Sequence, residues 1–258
     1  MSRKIFSIDI RDNGISAFLV ENTIKGNRIH TQMVVPYPDI NETPENRFSH
    51  IADSISQVIK EVNIAGAECI ISVSAELVSY RNLQVPFKDR KKIRQVLPFE
   101  LEPTLPFAMD DLTVDFWTVS QAEKTNIIVS VIKTSDINDI LGILKNLNIT
   151  PHIVAPAGFS TVLCLSKFSE PEKDFIFVDT DEKYSTVFAV VSGHVHIARS
   201  FYSKSADPQS MANKLYQNIM QVIAAFESSF VKEFEPSKIL ISGSTADTDV
   251  LSEKIEES

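Results

Sequence analysis

Two acids hold matching places in this chain. Asp9 stands in Ile8-Asp9-Ile10 and Asp179 in Val178-Asp179-Thr180, each at the end of an apolar strand that runs into a turn. The least demanding task for such a carboxylate is to cap the turn that follows. Two histidines, His194 and His196, lie two apart, so a strand would put both on one face, where they could hold a metal. No cysteine or acid follows at ligand spacing, and His30, His50 and His152 are scattered, so no metal site is expected. Nucleophilic chemistry has no better footing. There is no G-x-S-x-G elbow, and no catalytic residue is assigned. Chemistry on phosphate calls for glycine-rich loops, yet only 7 of the 258 residues are glycine. Neither G-x-G-x-x-G nor G-x-x-x-x-G-K-S/T occurs.

Charge narrows the partners. The chain carries 25 Lys and Arg against 34 Asp and Glu, a net −9, which argues against nucleic acid. The one basic cluster, Lys88-Asp89-Arg90-Lys91-Lys92 with Arg94, reads as a solvated helix face or as a dock for an acidic partner segment. Cys69 and Cys164 sit in apolar runs and read as buried free thiols, as a reducing compartment allows. No apolar run approaches the roughly 18 residues of a membrane span. Met1 to Asp9 runs straight into an alternating strand, so it does not read as a signal peptide. A soluble, cytoplasmic chain is the expectation.

The elements that must position the two acids follow from periodicity. Lys4 to Ile10, Ile15 to Glu21 and Arg28 to Val35 read as a meander, with Asn13-Gly14 as a hairpin signal. A helix is expected from about Arg47 to Val62, because Phe48, Ile51, Ile55, Val58 and Val62 step by three and four. Glu68 to Val73 reads as a strand buried on both faces. Leu77 to Val85, a basic helix from Asp89 to Leu97, the strand pair Leu112 to Val119 and Asn126 to Lys133, and a helix from Asp136 to Leu147 come next. Between them, the prolines of Leu97 to Phe107 should deny regular structure to a run of large apolar residues. After a short strand at His152 to Val154, a helix from Ala157 to Phe168 and a polar joint at Ser169 to Lys173, the pattern restarts. Strands are expected at Phe175 to Asp179, Thr186 to Val191 and His194 to Phe201, a long helix at Pro208 to Phe234, a strand at Lys238 to Ile241 and a short helix from Val250 to Glu256.

Strand, hairpin, strand and helix thus occur twice, from Lys4 and from Phe175. Such a duplicated β-β-β-α-β core with an insertion resembles the actin-like ATPase superfamily, an α/β, ribonuclease H-like plan. The expected division is 1–78 with 150–170 as the first half, 79–149 as an inserted β-α-β-β-α subdomain of ferredoxin-like flavour, and 171–258 as the second half. Particular strings are more specific. Ile71-Ser72-Val73-Ser74-Ala75, Val78 to Pro86 and Ile93-Arg94-Gln95-Val96-Leu97-Pro98-Phe99-Glu100-Leu101-Glu102 resemble the type II secretion protein GspL and the type IV pilus protein PilM. Pro103 to Phe107 followed by Leu112 to Phe116 resembles GspL most.

The resemblance implies a nucleotide cleft in which Asp9 and Asp179 would position Mg²⁺ and water, with the adjoining hairpins aiming N–H groups at phosphate. Asp9, Asn13, Asp179, Thr180, Gly243 and Ser244 would line it. Yet Arg11 stands where ATP-binding members carry glycine, Asp181 stands at the matching place, and the adenosine loop Ile241-Ser242-Gly243-Ser244 keeps one glycine. The cleft therefore reads as vestigial: no cofactor is expected, with weak Mg-ATP binding as the alternative. Arg11 would instead pair with Asp9 or Asp181. The resemblance further implies a scaffold rather than an enzyme, at the cytoplasmic side of the inner membrane. Its partners would be the N-terminal domain of the secretion ATPase GspE and a GspM-like membrane protein, and a homodimer stays open. Leu97, Pro98, Phe99, Leu101, Arg90 and Arg94 are the expected partner-binding residues. A PilM-like, nucleotide-binding role in type IV pilus assembly is the alternative.

Overall fold

The structure, a computed structural model, describes residues 2–38, 44–121, 123–168, 174–205, 207–230, 232–243 and 253. Along the chain come β1 (Arg3–Ile10), β2 (Gly14–Thr23), β3 (Gly26–Pro36), α1 (Pro44–Glu61), β4 (Glu68–Val73), β5 (Ser79–Val85), α2 (Arg90–Leu101), β6 (Leu112–Gln121), β7 (Thr125–Lys133) and α3 (Thr134–Asn146). They are followed by β8 (Pro151–Pro156), α4 (Phe159–Phe168), β9 (Phe175–Thr180), β10 (Tyr184–Val191), β11 (His194–Tyr202), α5 (Pro208–Phe230) and β12 (Lys238–Gly243). The residues form two compact units, Met1–Ser74 with Ser135–Ala157, and Ala75–Thr134 with Gly158–Ser258.

In the first unit five strands run in the order β3-β2-β1-β4-β8. β1 pairs antiparallel with β2 and parallel with β4, so the chain must cross over between them, and α1 makes that crossing. Alternation decides which side is core. Phe6, Ile8 and Ile10 of β1 and Ile15, Ala17 and Leu19 of β2 are buried on one face, together with Ile51, Ile55 and Val58 of α1. Each such isoleucine, leucine, valine or phenylalanine side chain contributes about 1.5–3 kcal/mol by leaving water. β4 differs from expectation: Cys69, Ile71 and Val73 are buried while Ile70 and Ser72 are only half-buried. Its second face is the one that carries Asp9 and Ser72, which are register partners.

The second unit repeats the topology. Its four-stranded sheet runs β11-β10-β9-β12, with β9 antiparallel to β10 and parallel to β12, and α5 makes the crossover. Leu215, Ile219, Val222 and Phe226 of α5 pack on Ile176, Val178, Val187 and Ile197. The helix ends at Phe230, earlier than the apolar spacing suggests, and Phe234 is buried as part of the segment that leads to β12.

The three-stranded sheet β5-β7-β6 also lies in this unit, although its sequence interrupts the first half. Tyr80 of β5 sets its ring edge-on to Phe188 at 6.2 Å, Asn82 donates to the His196 carbonyl at 2.8 Å, and Arg199 donates to Asn82 at 2.6 Å. α2 covers the opposite face of that sheet. It runs through Pro98 to Leu101, where the prolines had argued for an irregular loop. Ile93, Leu97 and Leu101 recur every four residues and are all buried on Val85, Phe116, Ile127 and Val129. Burying that stripe outweighs the hydrogen bond that Pro98 lacks, a loss of about 3 kcal/mol or more in a helix interior. Cys164 departs from expectation as well: it lies on the exposed side of α4, while Cys69 is buried and its thiol is pushed up to about 11 by desolvation. Ser169 to Lys173 and nearly all of Val250 to Glu256 lie outside the described residues.

Candidate functional site

The turn after β1 is built by four residues. The Arg11 N–H donates to the Gly14 carbonyl at 2.9 Å, and the Asn13 carbonyl accepts from the Tyr37 N–H at 2.9 Å. Asn13-Gly14 is therefore at the end of the turn rather than at its centre, with Gly14 already in β2. Asp9 points away from the core beside that turn. Its carboxylate accepts from Arg11 Nε at 2.6 Å and from the Ser72 hydroxyl. Arg11 side-chain exposure is 15% against 27% for Asp9, so the pair is partly withdrawn from water. A charge-assisted bond in such a place is stronger than one on the open surface. The guanidinium thus supplies a fixed internal cation to the carboxylate.

The turn after β9 has the same backbone wiring. The Asp181 N–H donates to the Tyr184 carbonyl at 2.8 Å, and the Lys183 carbonyl accepts from the Ser203 N–H at 2.7 Å. The side chains differ. Asp179, Thr180 and Asp181 are each only 2% exposed. The Thr180 hydroxyl is bonded to that of Ser185 at 2.9 Å, and Asp181 Oδ1 accepts from the Glu182 N–H at 3.2 Å. Asp179 lies against Gly158, whose carbonyl accepts the Val162 N–H and so opens α4. Gly158 has φ +75, and a Cβ there would sit 2.5 Å from that of Asp179. Only glycine allows the approach. It places a carboxylate at a helix N-terminus, where the helix dipole favours negative charge. Tyr80 faces the same region. Burial, and then the charge of Asp179, push its hydroxyl well above the ordinary tyrosine range, and that hydroxyl is buried with no hydrogen-bond partner among the described residues.

Gly243 also has a structural cause. Its φ is +128, and a Cβ would run into the Thr180 carbonyl, because β12 and β9 pair with Gly243 opposite Thr180. Ser244 lies outside the described residues. The six residues drawn from the resemblance therefore divide. Asp9 and Asn13 belong to the first unit, and Asp179, Thr180 and Gly243 to the second. Within the second, β9 and β12 bring Thr180 and Gly243 together.

The expected partner-binding residues also separate. Leu97 at 4% exposure and Leu101 at 0% are core residues of the three-stranded subdomain and present nothing to a partner. Phe99 is 75% exposed, and Pro98 is exposed beside it. Arg90 lays its guanidinium 4.5 Å from the Phe116 ring centre, and Arg90 and Arg94 both reach Asp115, at 3.6 and 3.2 Å. Three contributors went unnoticed in the sequence: Ser72, Gly158 and Tyr80. Ser72 had a signal, as the one hydroxyl within an apolar strand. Gly158, a glycine directly before a helix, had a weaker one. Tyr80 had none, since its burial depends on Phe188.

Comparison with known proteins adds to this geometry. The family model described as type IV pilus assembly protein PilM matches residues 7–192. Among curated proteins, none matches. A solved PilM–PilN type IV pilus biogenesis complex is similar in structure, with TM-score 0.77 and 14% identity, over 98% of this chain and 85% of that one. A Bacteroides thetaiotaomicron protein with an actin-like ATPase fold and unknown function gives TM-score 0.62 at 10% identity, over 99% and 88%. The cytoplasmic domain of EpsL, an inner-membrane component of the type II secretion system of Vibrio cholerae, gives 0.54 at 10% identity, over 99% and 95%. At such identities the structural likenesses establish the actin-like fold.

Proposed function

The chain belongs to the family of the type IV pilus assembly protein PilM, and from that membership we propose that it is a scaffold of an inner-membrane assembly platform and turns over no nucleotide. Its work is to hold other proteins: a cytoplasmic motor ATPase on one side and a membrane-anchored platform protein on the other. It acts on the cytoplasmic face of the inner membrane. The observation that carries the reading is the Arg11–Asp9 pair at 2.6 Å. A carboxylate that already accepts from a guanidinium and from Ser72 has less charge and fewer lone pairs to offer Mg²⁺ and its water. The second turn argues the same way. Asp181 puts a buried acid where phosphate would have to come, and the Thr180 hydroxyl is committed to Ser185. The residues present do not suit Mg-nucleotide.

A secretion platform of the EpsL kind is the second reading, favoured by the resemblance of Pro103 to Phe107 and Leu112 to Phe116 to GspL. Either way the first test is thermal. Ligand at 100 Kd adds about 2.7 kcal/mol of stability. Millimolar Mg-ATP should leave the melting temperature unchanged, and a clear upward shift would replace the passive scaffold with a nucleotide-dependent one. Co-purification with the N-terminal domain of a secretion or pilus motor ATPase tests the partner. Loss of surface pili or of secretion on deletion, restored by the wild-type chain, tests the platform role.

A further inference from the structure

α2 is charged against its own dipole. Arg90, Lys91 and Lys92 fill the first turn, where the positive helix end disfavours cations, and the acid at that end is the N-cap Asp89, whose carboxylate accepts from the Lys92 N–H at 3.0 Å. Glu100 sits in the last turn and Glu102 at the C-cap, where acids are disfavoured in turn. Arg90 and Arg94 are directed to Asp115. Lys91 and Lys92 are exposed, and among the described residues no carboxylate lies within ion-pair distance of either. With Ile93, Leu97 and Leu101 buried, the opposite face carries Lys92, Gln95 and Phe99 in one line at spacings of three and four. Phe99, at 75% exposure, is the most exposed aromatic side chain of this subdomain. The burial of α2 does not call for Lys91, Lys92 or Phe99 on that face, and the lysines and glutamates at its two ends oppose its dipole.

We infer that this outward face of α2 docks a helix of a partner protein, lying parallel to α2, with an acidic first turn over Lys91 and Lys92, an apolar residue on Phe99 and a basic last turn over Glu100 and Glu102. This rests on the scaffold reading and names one of its contact surfaces. The charge order selects the occupant. An ordinary helix has acids at its start and bases at its end, so alignment in parallel makes every end complementary. A uniformly anionic lipid surface fits less well. It would meet Lys91 and Lys92 at one end of α2 and Glu100 and Glu102, both exposed, at the other. A net charge of −9 would also repel it at long range.

The probe is a fluorescein-labelled synthetic amphipathic helix with glutamates in its first turn, leucines along one face and lysines in its last turn. A second peptide carries the charges in reverse order. Binding is read by anisotropy on the purified full chain, so the result is independent of the assembly role, which is read in cells. The first peptide should bind more tightly than its reverse. Lys91→Glu with Lys92→Glu should weaken it by roughly tenfold or more, and Phe99→Ala by about threefold to tenfold. The charge-reversed double variant should melt at a higher temperature than the wild type, since it mends the dipole conflict. A variant that binds less while being more stable excludes misfolding as the cause. Equal binding of the two peptides, no binding of either, or insensitivity to the lysine substitutions would overturn the proposal. Flotation of the wild-type chain with phosphatidylglycerol vesicles, lost in the lysine variant, would overturn it in favour of a membrane contact.

Discussion

The turn that follows β1 and the turn that follows β9 are copies at the level of backbone and strangers at the level of side chains. Each closes with an N–H two residues after the acid bonded to a carbonyl three residues further on, at 2.9 and 2.8 Å. Each acid stands opposite a serine of the parallel neighbour, Asp9 opposite Ser72 and Asp179 opposite Ser242. In the first unit the acid stays partly wet and is neutralised by Arg11. In the second it is buried against the start of α4, and the residue at the place of Arg11 is a buried acid, Asp181. The difference teaches that the duplicated scaffold constrains where a carboxylate sits, while its neighbours decide what it does there. Neither turn has a glycine two residues after its acid, where the first has Arg11 and the second Asp181.

The comparison can be broken most forcefully at Gly158. Alanine there must adopt φ near +75, which costs about 1–2 kcal/mol, and must push Asp179 aside, which costs about 1–3 more. Urea unfolding should show the loss. Asp179→Gly in that background removes the Cβ and the carboxylate that the new methyl would meet, and should restore the clash part, so the two changes should be strongly non-additive. Additive losses would mean that Gly158 does not exist for the sake of Asp179.

A smaller effect is expected at the first turn. Arg11→Ala should lower stability by about 1 kcal/mol, less in high salt, because the pair is only partly screened from water. Arg11→Ala combined with Asp9→Ala should cost less than the sum of the single changes. A loss at Arg11 as large as that at Gly158 would erase the contrast between a partly wet ion pair and a buried carboxylate.

The smallest effect separates the units by pH. His196 of the second unit is packed edge-on against Phe226 and Phe230 at 5.6 and 5.0 Å. Burial, then the neighbouring His194, lower its value to about 4. The unfolded chain takes up this proton near the ordinary value of about 6.5 while the folded one resists it. Stability is therefore full above that value and declines as pH falls toward 4. His196→Gln should flatten the decline in melting temperature over this range.

Much of this architecture was readable from residue order. β1, β2, α1 and β4 lie close to where alternation and three-four spacing put them, and the restart of the pattern at Phe175 revealed the duplication. The candidate site was less readable. Asp9 and Asp179 were found because both end apolar strands, and Arg11 and Asp181, each two residues after one of them, were visible directly. The partners of those acids were not. Ser72 is 63 residues from Asp9, and Gly158 is recognised only when α4 is seen to begin against β9. Leu97 and Leu101 were misread because three nearby prolines suggested a loop, whereas the sheet beneath them holds α2 straight through Pro98.

By itself, then, the amino-acid order determined the repeat, the periodicity of each element and the absence of phosphate-loop glycines. Those depend on neighbours a few residues apart, and local patterns record them faithfully. Tertiary structure alone decided that the inserted sheet joins the second unit, that Asp179 is buried while Asp9 is paired, and that α2 turns Phe99 rather than Leu97 outward. The reason is physical. The free energy of burying a leucine or a carboxylate is set by the atoms that surround it, and those come from segments far away along the chain.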